Sequence, residues 1–136
     1  MKTLTIYQKT LTALAFAVLL SAIGAAFAAD MAPRVGTFTG LNNHITNGDV
    51  QVIASEDGAK IVLGANFTFD GAPDPKVALG NDGKYDPATL IMPLKSNTGE
   101  QTYNVPASID VSEYNEVYIW CEKFSVGLGV ATLMAP

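Results

Sequence analysis

The segment Val117 to Leu133, VYIWCEKFSVGLGVATL, constrains the fold more than any other stretch of the chain. It reads as two β-strands that meet at Glu122-Lys123. In the first, Val117, Ile119 and Cys121 fall on one face, and Tyr118 and Trp120 on the other. In the second, Val126, Leu128 and Val130 alternate with Ser125, Gly127, Gly129 and Ala131. A period of two is that of a half-buried strand, because successive side chains point to opposite faces of a sheet. The pair also carries the chain's only tryptophan, Trp120, and its only cysteine, Cys121. The fold is expected to pack around this pair.

The rest of the pattern is of the same kind. Val35 to Leu41 predicts a first strand. Asn47-Gly48 predicts a two-residue hairpin turn, since both residues tolerate positive φ, and that hairpin would set Ile45 opposite Val50 and His44 opposite Gln51. Asp49 to Ser55 follows, with Val50, Val52 and Ala54 alternating, and Glu56-Asp57-Gly58 makes a turn. Lys60 to Gly64 puts Ile61 and Leu63 on one face, and Asn66 to Phe69 points Phe67 and Phe69 the same way. Asp70 to Pro75 reads as irregular, because two prolines and a glycine interrupt regular pairing. Val77 to Leu79 is a short strand, and Gly80 to Pro87 a polar loop. Leu90 to Leu94 is strand-like, with Pro93 marking an edge or an end. Gln101 to Val105 is another strand, and Pro106 to Glu113 is a loop or one helical turn starting at Asp110. Nothing beyond the N-terminal segment sustains a helical period. The expectation is an all-β domain, an antiparallel β-sandwich or flattened barrel of several short strands.

The first residues follow a different logic. Lys2 and Lys9 form a basic start, Leu11 to Gly24 is uncharged and apolar, and Ala26-Phe27-Ala28 is a small-x-small site. This order is that of a secretory signal peptide, and the apolar run is shorter than the roughly 20 residues that span a bilayer. Residues 1–28 are therefore expected to be a cleaved signal peptide, 29–35 a flexible lead-in, and 36–134 one β-domain. The protein is expected to be exported, to the periplasm or outside the cell. If uncleaved, the segment is a membrane anchor and the protein's only contact with a membrane. The net charge is −5, and cleavage removes two lysines and no acid. Nucleic acid is not an expected partner, because phosphate contacts need lysine and arginine. A lone cysteine forms no internal disulfide. In an oxidising compartment it is buried as a small hydrophobe, paired with another chain, or used chemically.

Several chemistries lack their residues. One cysteine and one histidine are too few for a structural zinc site of that type. There is no Cys-x-x-Cys, no Gly-x-Ser-x-Gly elbow, no phosphate-loop glycine spacing and no Cys-x-x-Cys-His haem attachment. A His44–Cys121 nucleophile pair has no third, orienting group by spacing. A haem held by Cys121 with His44 opposite is chemically sensible. Asp70, Asp74, Asp82 and Asp86 lie in two neighbouring loops, match no calcium-loop pattern and read as solvated turn residues. Asn66-Phe67-Thr68 has the form of a glycosylation sequon inside a predicted strand. Glu122 and Lys123, flanking Cys121, act on its thiol in opposite directions.

A set of motifs runs through the domain in order: Gly36-Thr37-Phe38, His44 with Gly48, Val50 and Val52, Asn66-Phe67, Gly71 with Pro73-Asp74, and Val77-Ala78-Leu79-Gly80. Tyr103, Pro106 and the run Ile119 to Val126 complete it. This order resembles the DM-thirteen domain, which occurs alone in bacterial exported proteins and beside DOMON domains in animal proteins. The likeness spans Gly36 to Leu133, and Trp-Cys-x-x-Phe-x-Val and Pro-Asp are its most specific elements. It implies an all-β domain with an electron-transfer role, more a carrier than a classical enzyme. The single cysteine, here Cys121, is then a redox-active thiol or a haem ligand. Trp120 and Phe124 would shape its pocket, His44 would assist, and an unidentified redox or protein partner would exchange electrons with it. Two positions depart from the family pattern: Leu128 stands where phenylalanine is usual, and Pro75 where an apolar or aromatic residue often follows Pro-Asp. The alternative is a non-enzymatic binding or adhesion module. There Cys121 is buried core, and the loops around Asp74 and Asp82 carry recognition.

Overall fold

The first strand, β1 (Arg34–Gly40), is shared between two halves of one sheet. Its opening residues, Arg34 to Thr37, pair with β3 (Asp49–Ser55), and its closing residues, Phe38 to Gly40, pair with β11 (Val126–Thr132). The sheet therefore turns over within β1. This architecture comes from a computed structural model that describes residues 32–135. The expected signal peptide, residues 1–28, and residues 29–31 of the lead-in lie outside the described residues.

The other strands are β2 (Thr46–Asn47), β4 (Gly58–Leu63), β5 (Thr68–Phe69), β6 (Pro75–Asn81), β7 (Lys84–Tyr85), β8 (Met92–Pro93), β9 (Gln101–Pro106) and β10 (Glu116–Cys121). The main sheet runs β7-β6-β10-β11-β1-β3-β4-β9, with β8 added beside β6, and β2 and β5 form a separate ribbon. Every pairing is antiparallel. The result is a curled, half-barrel sheet closed over one core, the all-β antiparallel architecture that the strand pattern predicts. The described helices are two single 3₁₀ turns, Pro87–Thr89 and Val111–Glu113, the second capped by the Asp110 side chain as expected at that position. No helix among the described residues is long and apolar enough to cross a membrane.

The core is filled by the residues that the alternation selects. Val50, Val52, Ile61, Leu63, Phe67 and Phe69 come from one half, and Val77, Leu79, Val117, Ile119 and Cys121 from the other. Phe38 and Phe67 meet edge to face with centroids 5.5 Å apart, a favoured aromatic geometry. Arg34 ties the open end by donating to the carbonyls of Tyr114 and Val111. Every buried side-chain polar atom among the described residues has a hydrogen-bond partner, as stable interiors require.

Two local expectations are corrected. Asn47-Gly48 does not close a hairpin. β2 leaves to pair with β5, and β3 pairs with β1 and β4. Gly48 instead lends its carbonyl to the Phe38 N–H at 2.8 Å. Ile45 is accordingly exposed while Val50 is fully buried. An Asp-Gly two-residue hairpin instead lies at Asp82-Gly83, between the Asn81–Lys84 pair of β6 and β7. Both turn residues have positive φ, 52° and 82°, as a type I′ turn demands. Residues 80–87 thus hold a hairpin where a loop is predicted.

The second correction concerns β11. Ile119 pairs with Gly129 and Trp120 with Gly127, so Leu128 is the extra residue of a β-bulge. A bulge shifts the alternation by one. Val126 and Leu128 face the core as expected, but Val130 then faces out and Ala131 in. Gly127 and Gly129 make room for side chains and not for backbone. A Cβ on Gly129 would lie 2.7 Å from Thr46 Cβ, and one on Gly127 would lie 2.9 Å from Leu41 Cδ1.

Candidate functional site

β10 presents two unlike faces, and the candidate site is built from both. On the inner face, Cys121 is a free cysteine with 1% of its surface exposed, within the same core cluster as Val77, Val117 and Ile119. Its cross-strand partners are Pro75 on β6 and Val126 on β11. The segment before β6 latches onto this end of β10. The Glu122 N–H donates to the Asp74 carbonyl at 3.2 Å. Lys76 reaches the carboxylates of Asp74 at 2.9 Å and Glu122 at 3.4 Å, and the hydrogen bond with Asp74 raises the Lys76 pKa. The Pro-Asp and Trp-Cys elements, far apart in sequence, are neighbours here.

On the outer face, Trp120 stacks on Tyr85 with centroids 4.1 Å apart and planes inclined by 15°. Tyr118 meets Trp120 edge-on at 6.4 Å. The Asp82-Gly83 hairpin delivers Tyr85, and the same hairpin receives Glu116. The Gly83 N–H lies 3.1 and 2.9 Å from the two Glu116 oxygens, and the Tyr118 hydroxyl donates to Oε2 at 3.1 Å. Burial, reinforced by the bond to Glu116, pushes the Tyr118 phenol up to about 12. Burial also raises Tyr85, with Glu122 and Asp86 adding to the effect. A groove of about 630 Å³ opens over this face, lined among others by Leu41, Tyr85, Tyr118, Trp120, Gly127 and Val130.

The remaining predicted site residues lie outside the core cluster that holds the thiol. Phe124 is 61% exposed in the turn between β10 and β11, with the Lys123 ammonium over its ring at 5.5 Å. His44 lies between β1 and β2. Its Nδ1 is 2.9 Å from Asp70 Oδ1, and its ring lies 5.9 Å from that of Phe69. The His44 hydrogen bond is the main cause of a lowered Asp70 pKa. The structure therefore brings Cys121 and Trp120 together as neighbours on one strand with opposite outlooks. The side-chain contacts of Phe124 and His44 are to Lys123 and to Asp70 and Phe69 respectively.

A haem on the Cys121 sulfur does not fit this arrangement. Iron ligation needs a sulfur that faces space for the macrocycle, and this one faces a filled core. None of the grooves described is lined by Cys121 or His44. Among the described residues there is no cluster of three or more histidine, cysteine or acidic side chains disposed to hold a metal ion.

The electron-transfer DM13 family matches residues 37–133. The chain belongs to this family. No curated protein and no solved structure matches it. In this DM13 domain the Trp-Cys element is the central strand of its half of the sheet, and the Pro-Asp element is the clamp on that strand's end. Two contributors to the DM13 outer face were not singled out by sequence reasoning. Tyr118 had a usable signal, since it shares Trp120's face two residues away. Tyr85 had none, because its contact with Trp120 depends on the pairing of β6 with both β7 and β10.

Proposed function

We propose that this DM13 protein is exported by its N-terminal segment and carries electrons in the periplasm or outside the cell. In this reading Cys121 is the redox residue, and the Trp120 face is the surface through which electrons pass. The observation that supports it is the adjacency, on β10, of a thiol sealed in the core and an indole open to a groove. Burial closes Cys121 to disulfide exchange, which requires a second thiolate to reach the sulfur. Electron tunnelling requires no such approach: a one-electron oxidant at the groove, one residue away, takes one electron. The S–H bond breaks, its proton passes to solvent at the exposed Glu122-Lys123 turn, and the thiyl radical that remains is restored by a one-electron reductant. Phe124 and the groove lining offer a redox partner an apolar rim. His44 enters only through its loop, where its N–H donates to the carbonyl of the groove residue Leu41 at 2.9 Å. Protein-film voltammetry on wild type and Cys121→Ser tests the reading. The expected result is a wave in the wild type that is reduced or absent in the variant; a wave unchanged in Cys121→Ser defeats it.

The burial of Cys121 also favours a second reading. A free cysteine at 1% exposure serves readily as a small hydrophobe. The protein is then a binding module, and neither form gives a wave. The recognition loops of that reading are partly self-engaged: Asp74 holds Lys76, and Asp82 accepts from the Asn115 amide at 2.8 Å.

A further inference from the structure

We propose that Tyr118 is a redox-active tyrosine, with Glu116 as the acceptor of its proton and with Trp120 and Tyr85 as the route by which its electron leaves. This rests on reading the Trp120 face as the site of electron exchange, and it adds to Cys121 a second residue that holds an oxidising equivalent.

The chemistry of phenols sets the requirement. A tyrosine that loses an electron becomes a strong acid at its hydroxyl, so oxidation is practical only where a base already accepts that hydrogen. Tyr118 meets the condition, because its hydroxyl donates to Glu116 Oε2 at 3.1 Å. The acceptor is fixed in place: Glu116 is 8% exposed, and both its oxygens lie within hydrogen-bonding distance of the Gly83 N–H. Tyr118 is 3% exposed, which shields a radical from solvent and from other chains. Its phenol, pushed up to about 12, is fully protonated at ordinary pH and has a proton to give. From its ring the path runs 6.4 Å to Trp120 and a further 4.1 Å to Tyr85 at the groove.

Other tyrosines supply the contrast. Tyr114 also donates to a carboxylate, Asp86 at 2.8 Å, but none of the ring pairs described includes it. The Tyr103 hydroxyl donates to the Gln101 amide, which is no base. Tyr118 alone among the described tyrosines joins a carboxylate partner to a ring contact with Trp120.

The step balances as a one-electron, one-proton transfer. The partner is an outer-sphere one-electron oxidant, such as an oxidised metal complex at the groove. The Tyr118 O–H bond breaks, and a new O–H bond forms on Glu116 Oε2. The electron passes through Trp120 and Tyr85 and reduces the partner by one. The products are a neutral Tyr118 phenoxyl radical, a Glu116 carboxylic acid and the reduced partner, and a one-electron reductant reverses the step.

The test uses the whole protein with photogenerated ruthenium(III) tris-bipyridine as oxidant. Radicals are followed by transient absorption and electron paramagnetic resonance. Wild type is expected to give a neutral tyrosyl radical, more slowly in D₂O. Tyr118→Phe keeps the packed ring; it is expected to lose that signal and leave the hole on Trp120, while Tyr114→Phe keeps it. Glu116→Gln is expected to slow radical formation about 100-fold, the scale of a positioned proton acceptor. A tyrosyl signal undiminished in Tyr118→Phe overturns the proposal, and so does a wild-type rate indifferent to D₂O. The two readings fail separately. A voltammetric wave unchanged in Cys121→Ser removes the cysteine and leaves Tyr118 standing. A tyrosyl radical that survives Tyr118→Phe removes Tyr118 and leaves the cysteine.

Discussion

The inner and outer faces of β10 come from six consecutive residues and do different work. Inside, Val117, Ile119 and Cys121 are packed where neither water nor a partner reaches them. Outside, Tyr118 and Trp120 meet aromatic rings, a buried carboxylate and a groove. The inner face contributes burial energy and a sealed thiol. The outer face contributes a stack of aromatic rings and a carboxylate that accepts the Tyr118 hydroxyl hydrogen. Strand alternation thus lets one segment fill the core on one side and, in the function proposed above, exchange electrons on the other.

Substitutions on the two faces should therefore differ in size. Ile119→Ala leaves a hole at a fully buried site and is expected to cost about 2–5 kcal/mol in a denaturant titration. Cys121→Ser puts a hydroxyl against the apolar core and is expected to cost about 1–3 kcal/mol, with Cys121→Ala milder. On the outer face, Tyr85→Leu removes the stack on Trp120 for about 1 kcal/mol and shifts the tryptophan emission to the red. If Tyr85→Leu costs as much as Ile119→Ala, the two faces are not distinct in the way described.

The smallest effects are in pH. The Tyr118 phenol is raised from 10.0 to about 12 in the fold, so its contribution is fully present below pH 10 and lost as pH rises through about 12. Tyr118→Phe should flatten that alkaline limb of the stability profile. Asp70 is the opposite case. Its carboxyl is held below the ordinary value by His44. Its contribution is present above the ordinary carboxylate range and lost as pH falls through the lowered value. Asp70→Asn should flatten the acid limb and leave the alkaline limb unchanged.

Most strands were legible because burial on one face imposes a period of two. Val50 with Val52, Ile61 with Leu63, and Phe67 with Phe69 all reach the core as their spacing implies. The turns were less legible, and two of them explain why. Asn47-Gly48 and Asp82-Gly83 carry the same local signal, yet only the second closes a hairpin. The difference is tertiary: β2 pairs with β5 while β3 pairs with β1 and β4, so the strands on either side of Asn47-Gly48 have other partners. The phase of β11 was hidden for a related reason, since the bulge at Leu128 appears only against its partner β10. At the candidate site, Cys121 and Trp120 stand out by composition and Tyr118 by alternation. Tyr85 reaches Trp120 only because β6 lies between β7 and β10.

Whether electrons leave by the outer face of β10 is decided by the rate of electron exchange in protein-film voltammetry for Trp120→Leu against wild type. The variant keeps the core face of β10 and removes the ring that links it to the groove. The expected result is a wave of unchanged size whose exchange rate falls well below that of the wild type. An exchange rate equal to the wild type would mean that electrons do not leave by the outer face of β10, and would contradict it.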